Sequence, residues 1–249
     1  MCTASWLLDK TGYQVFFNRD EQIGRAKARP PSQVKSESDV NFLMPVDPVG
    51  QGSWIATNEL GLTLCLLNFY QGDIPEGELI SRGQLVRSFA HFSSAESLTS
   101  DFTKLNLSQY APFTLVIFDA QLNSDQGHVK ALQWDGKTLV DTLPLPPLIS
   151  SAVDADNVRT SRRQLFTRFN ANDESTASRL AFHHSHEPNK GRLSPCMHRD
   201  DAHTVSFTHV IVNKDEITVN YQDGSPCMQA PYHKSALTKL DTKQKEKFA

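Results

Sequence analysis

Short apolar-rich runs at Thr3–Leu8 and Tyr13–Asn18 flank the polar cluster Asp9-Lys-Thr-Gly12, so the chain opens on a predicted β-hairpin with Cys2 at the free end of its first strand. From Gln22 to Val49 the pattern breaks down into Arg, Lys, Pro and Ser with little periodicity, which predicts a long surface loop that covers or shapes a site. Strands follow at Ser53–Thr57 and Leu62–Phe69, around the turn Asn58-Glu-Leu-Gly61. Leu85, Val86, Phe89 and Phe92 recur at helical spacing within Arg82–Phe92, and Ala95–Leu105 is a second predicted helix. Phe113–Phe118 is strongly β-prone, and His128–Trp134 pairs with Thr138–Thr142 around Asp135-Gly-Lys137. Past the stiff connector Leu143-Pro-Leu-Pro-Pro147 come helices at Val158–Phe169 and Ser175–Phe182. A last hairpin, Thr204–Val212 and Glu216–Tyr221, turns at Asn213-Lys-Asp215, and the tail from Ser235 reads as a Lys-rich helix or a frayed end. Hairpins separated by helix pairs predict an α+β fold, sheets packed together with helices outside, as one domain over residues 1–249.

Composition narrows the function. With 39% apolar residues in 249 the chain is ample for a buried core. Its 25 basic and 28 acidic residues leave a net charge of −3, without the basic excess of a dedicated nucleic-acid binder. The longest apolar run, Leu60–Tyr70, is broken by Gly61 and Thr63, well short of the roughly 18–20 residues that span a bilayer. Four cysteines are too few for a disulfide scaffold. No basic start or long apolar stretch marks a secretory signal, so a cytoplasmic protein with reduced thiols is the expectation.

Cys2 carries the first candidate chemistry. If Met1 is removed, one residue holds both a thiol and a free α-amine. The amine titrates at about 7.7–8.0 and the thiol near about 8.5, so the amine can take the thiol proton without a histidine. On position alone, an incidental second-residue cysteine is the other reading. The cluster Asn18-Arg19-Asp20-Glu21 ends the strand paired with the amino terminus. Asp20 or Glu21 can hold the amine there, and Arg19 can stabilise the thiolate. Neighbouring strand residues point to opposite faces, so Arg19 and Asp20 both reach Cys2 only if the strand bends or ends. A solvated strand end with a weak ion pair is the alternative.

Met-Cys-Thr at the start, Phe17-Asn-Arg-Asp-Glu21, Gly52-Ser-Trp-Ile55 and Gly61-Leu-Thr-Leu-Cys-Leu-Leu-Asn68-Phe69 resemble the NRDE family, which contains the transport and Golgi organisation 2 proteins. More remotely, the chain is similar to the choloylglycine hydrolases and penicillin V acylases, through the same start and through Asn58-Glu-Leu-Gly-Leu62 leading to Leu67-Asn68-Phe69. Those are amino-terminal nucleophile hydrolases, and the resemblance implies a four-layer αββα sandwich. It implies Cys2 as nucleophile with its amine as base, Arg19 and Asp20 as supports, and Asn68 as oxyanion donor. In the acylases the Arg and Asp are separated by two residues, whereas here they adjoin. Where the acylases carry a second Asn, this chain has Ser150-Ser151, a weaker donor.

The remaining clusters are less specific. His183-His-Ser-His186 and Cys196-Met-His198-Arg199-Asp-Asp-Ala-His203 contain zinc-type ligands, but their spacing fits no paired-ligand pattern; a polar loop without metal is the expectation. His198 and Arg199, leading into the last hairpin, are placed at the mouth of the site. Trp54 reads first as packing and second as a stacking surface. Asn18, Glu21, Trp54, Ser151, His198 and Arg199 complete the candidate substrate contacts. Cys65 reads as an inert core thiol, and Cys196 and Cys227 as loop thiols. The expected activity is attack by Cys2 on a small-molecule amide or related acyl substrate, at C–N bonds other than peptides, without a cofactor. The rival is a binding or trafficking protein on the same fold, which the family resemblance links to haem or lipid-like metabolites.

Overall fold

In a computed structural model, residues 1–240 are described. The chain runs β1 (Cys2–Asp9), β2 (Gly12–Gln22), β3 (Arg29–Lys35), β4 (Asn41–Val46), β5 (Ile55–Asn58), β6 (Thr63–Asn68), α1 (Gly83–Phe89) and α2 (Ala95–Phe102). It continues β7 (Phe113–Phe118), β8 (Lys130–Trp134), β9 (Leu139–Thr142), β10 (Leu148–Ser150), α3 (Ala155–Asn170), α4 (Thr176–His184), β11 (Ala202–Val212), β12 (Glu216–Asp223) and β13 (His233–Thr238). Among the described residues, two antiparallel sheets form, ordered β10-β1-β2-β11-β12-β13 and β3-β4-β5-β6-β7-β8-β9. The opening turn needs Gly12, because a Cβ there would sit 2.0 Å from the Val212 carbonyl oxygen.

The strand faces explain the layering. Trp6, Val15, Phe17, Ile55, Leu67, Val116, Phe118, Val210 and Val219 meet between the sheets, where Phe118 packs edge-on to Trp6 and stacks on Tyr13. The other face of the seven-stranded sheet, with Leu64, Leu66, Leu115 and Ile117, packs on Leu85, Phe89, Leu98 and Phe102 of α1 and α2. Helices α3 and α4 cover the six-stranded sheet, joined to each other through Leu165, Phe166 and Phe182. The result is the αββα sandwich that the family resemblance implied. Among the described residues no helix is long and apolar enough to cross a membrane.

Three segments depart from the sequence reading. The expected loop Gln22–Val49 contains β3 and β4. Strand β4 shows no alternation because both its faces are covered, Leu43 in the inter-sheet core and Phe42, Met44 and Val46 against the helices. Pro30 and Pro31 sit in β3, an edge strand, where a missing N–H is tolerated. The three-residue β10 follows the proline connector and pairs with Cys2, too short to leave a pattern. Ser235–Thr238 lie in the edge strand β13 rather than a helix or frayed end, Lys239 and Leu240 follow it, and the rest of that expected tail, 241–249, lies outside the described residues.

On β11 the buried His209 stacks on Phe16 at 4.3 Å and its Nε2 meets Gln14 Oε1 at 2.9 Å. Burial pushes its pKa from 6.5 down to about 4. Below 6.5 the unfolded chain therefore takes up a proton that the folded one refuses, and stability falls on acidification from about 6.5 until about 4. The loss is expected to reach up to about 3 kcal/mol. Urea unfolding across that range should show a shallower pH dependence for His209→Gln; an unchanged slope would contradict this origin.

Candidate active site

The start of β1 is fixed by its neighbours on both sides. Met1 and Asp20 exchange both main-chain hydrogen bonds, the Met1 amine donating to Asp20 O at 3.1 Å and Asp20 N–H to Met1 O at 2.9 Å. In an antiparallel ladder the next pair, Cys2 opposite Arg19, then lacks hydrogen bonds and brings its side chains close on one face. The thiol and the guanidinium both line a cavity of about 340 Å³ between the two sheets. Glu21, Arg25, Asp47, Trp54, Asn68, Tyr70 and Arg82 complete its polar wall.

Arg19 is held on three sides. Its guanidinium lies 4.3 Å from the centre of the Trp54 ring, bonds Glu21 at 3.2 Å and faces Asp47 at 3.8 Å. Trp54 packs in the inter-sheet core and lines the cavity, where its ring faces the Arg19 guanidinium. Asn68 ends β6, and its main-chain oxygen accepts from the Ser150 hydroxyl at 2.7 Å, tying the second sheet to the strand beside Cys2. Its side-chain amide donates to the Tyr70 hydroxyl at 2.8 Å, which also receives the Met1 amine at 3.3 Å.

Asp20 points the other way. Strand β2 runs on past Arg19 to Gln22, with a register shift opposite it between Thr204 and Ser206 of β11, and the Asp20 carboxylate faces the α3 layer, as strand alternation expects. There Oδ1 accepts from Thr204 Oγ1 at 2.6 Å, and Oδ2 lies 3.4 Å from Arg162 Nη1. Both side chains are wholly buried, and Arg162 also donates to Thr3 Oγ1 at 2.5 Å. Asp20 therefore reaches the amino terminus through its main chain, not its carboxylate. Asn18 shares that direction, and its amide donates to the carbonyls of His183 and Pro195 rather than entering the cavity.

Met1 forms part of a wall between two spaces. It lines the first cavity and also a second of about 210 Å³, bounded by Tyr70, Val153, Met197 and Arg199. Its sulfur lies 2.9 Å from the Ser151 hydroxyl and 4.0 Å from Arg199. Ser151 Oγ also donates to Val153 O at 2.6 Å, so its hydroxyl is committed to a local turn. Arg199 reaches the second cavity, held by Asp201, whereas His198 is drawn off to Cys196 and Cys227.

Burial pushes the Cys2 thiol above its ordinary pKa; the nearby terminal ammonium and Arg19 pull it down, and the Asp20 charge adds to the rise. With Met1 in place the balance holds a protonated thiol. Burial likewise raises Tyr70, keeping its hydroxyl protonated.

Sequence reasoning missed Tyr70, Asp47, Arg82 and Arg162. Tyr70 and Asp47 sit just past strand ends, where no periodicity marks them. Arg162 had a signal: it falls on one helical stripe with Val158, Leu165 and Phe166, an apolar face on which a cation is out of place.

The sequence model of the family described as Transport and Golgi organisation 2 matches residues 1–191. A search of curated proteins gives no match. Among solved structures, the chain is similar to penicillin V acylase from Agrobacterium tumefaciens, at 11% identity and a TM-score of 0.56, over 90% of this chain and 83% of that one. A variant of conjugated bile acid hydrolase from Clostridium perfringens matches at 14% identity and TM-score 0.51, covering 98% of each chain. A Caenorhabditis elegans ortholog of N-acylethanolamine-hydrolyzing acid amidase matches at 7% identity and TM-score 0.53, over 84% of this chain and 92% of that one. At such identities the likeness is one of fold, that of the amino-terminal nucleophile hydrolases.

Proposed function

The chain belongs to the Transport and Golgi organisation 2 family, and on that premise we propose that it is a cytoplasmic amidohydrolase whose nucleophile is Cys2 after removal of Met1. One observation carries the reading: Cys2, Arg19 and Asn68 share a single cavity of which Met1 is a wall. Excision of Met1 exposes the nucleophile's own α-amine and removes a residue that lines both the first cavity and the second.

The chemistry follows from those groups. The Cys2 amine takes the thiol proton, assisted by the Arg19 charge on the thiolate side. Thiolate sulfur attacks the acyl carbon, and the C–O electrons move to oxygen. Asn68 has two amide N–H groups; one is engaged with Tyr70, and the other is free for that oxyanion. Collapse breaks the C–N bond, the ammonium returns its proton to the leaving amine, and a thioester remains. Water then attacks with the amine again as base, releasing the acid. The cavity's charged wall of Arg19, Arg25, Arg82, Glu21 and Asp47 suits a small amide with a polar acyl part.

Asn68→Ala is expected to slow thioester formation about 10²- to 10³-fold while leaving the fold unchanged. The measurement is the rate of Cys2 acylation by an activated ester, followed by mass. Full speed in that variant would remove Asn68 from the mechanism.

A second reading, binding without turnover, is favoured by the commitment of Ser151 to Val153, which leaves a single side-chain amide for the oxyanion. The same assay separates them: a binding protein takes up ligand without forming a thioester. For a haem ligand, His186 and His198 lie with Cys196 and Cys227, away from the Cys2 cavity.

A further inference from the structure

Four zinc-type ligands meet on the side of the six-stranded sheet that carries α4. His186 follows α4, Cys196 and His198 lie in the segment before β11, and Cys227 sits in the 3-10 turn Pro226–Met228 between β12 and β13. One ligating atom from each lies within 4.8 Å of all the others. Cys196 Sγ is 3.5 Å from His198 Nε2, and Cys227 Sγ is 3.4 Å from the same nitrogen. A tetrahedral zinc with Zn–S near 2.3 Å and Zn–N near 2.0–2.1 Å places its sulfur and nitrogen ligands about 3.5 Å apart. Both sulfur–nitrogen spacings at His198 are those of a coordination shell.

Hydrogen bonding alone does not account for the cluster. The His198 Nε2 carries either one lone pair or one hydrogen, according to tautomer, so it serves only one of the two sulfurs at a time. His186 Nε2 is buried with no partner. The two rings approach at 5.0 Å and nearly perpendicular, without a bond between them. A divalent cation at the centre satisfies all four groups at once.

We propose that His186, Cys196, His198 and Cys227 form a closed structural zinc site, distinct from the Cys2 cavity. Four protein ligands leave no open position for water or substrate, which makes the role structural rather than catalytic. The segment is also prearranged: Cys196 N–H donates to Ser185 O at 3.1 Å, and Ser194 Oγ to Cys196 O at 2.8 Å. Binding releases the thiol protons and ties the end of α4 and the 3-10 turn to the stretch that carries Met197 and Arg199 to the second cavity. The ligand spacings, nine residues, one residue and then twenty-eight, explain why no paired motif is visible in the sequence.

The test uses the purified full chain, with zinc measured by elemental analysis and cobalt(II) as a spectroscopic substitute. The proposal expects one zinc per chain and cobalt absorption typical of a tetrahedral thiolate site. Cys196→Ser and Cys227→Ser should each abolish both, while His203→Ala and Cys2→Ala retain them. Chelation should also lower the wild-type unfolding temperature, a readout that needs no variant. Absence of stoichiometric metal together with a featureless cobalt titration would overturn the proposal, as would a Cys196–Cys227 disulfide in protein purified under reducing conditions.

Discussion

Replacing Arg162 with leucine is expected to destabilise the fold by about 3–5 kcal/mol, because it leaves the Asp20 carboxylate buried without its countercharge. Both side chains are inaccessible, and the remaining partner of Asp20 is the Thr204 hydroxyl at 2.6 Å. Against a typical total of about 5–15 kcal/mol that loss is severe, equivalent to roughly 10 °C in the unfolding temperature for a chain of this size. Urea unfolding measures it directly. The double variant with Asp20→Asn should recover part of the loss, since no buried charge then stands alone. A single variant within about 0.5 kcal/mol of the parent would contradict the burial of this pair. The consequence reaches the site, because Arg162 also holds Thr3, the residue after the proposed nucleophile.

The second large effect concerns Cys2 itself. Cys2→Ala is expected to eliminate thioester formation, and Cys2→Ser to reduce acyl transfer at least about 10³-fold, since a hydroxyl is a far weaker nucleophile near neutral pH. Cys2 is a small residue at the end of β1 and, taken whole, only partly buried, so both near-isosteric variants should keep the parent's unfolding temperature within a few degrees. Labelling by an activated ester, mapped by peptide mass, reads the result. Labelling that persists in Cys2→Ala through Cys196 or Cys227 would contradict the assignment.

Much of the sandwich was legible because its strands have one dominant pattern. The first hairpin, Phe113–Phe118 and the last hairpin stand in the structure close to their predicted bounds. What escaped was structure whose signal is masked by context. Strand β4 is apolar on both faces, β3 carries prolines that only an edge strand accepts, and β10 is three residues long. The site was legible in part for a similar reason. Cys2 and Arg19 sit at the ends of two predicted strands whose pairing brings them together, and Asn68 lines the same cavity from β6 of the other sheet. The alternation of strand faces, a rule available from sequence alone, already separated Arg19 from Asp20, and the structure follows it. The placing of Tyr70 depends on long-range packing that no local pattern encodes, and the His186–Cys227 cluster gathers residues from two connections far apart in the chain, α4–β11 and β12–β13.

The measurement closest to the central claim is the intact mass of the protein isolated from cells, before and after exposure to an activated acyl ester. The account predicts a chain lighter by one methionine residue that gains one acyl group, carried on the residue numbered Cys2 and lost on incubation with hydroxylamine. A chain that retains Met1, or a processed chain whose Cys2 stays unmodified while it binds the ester's acid product, would contradict it.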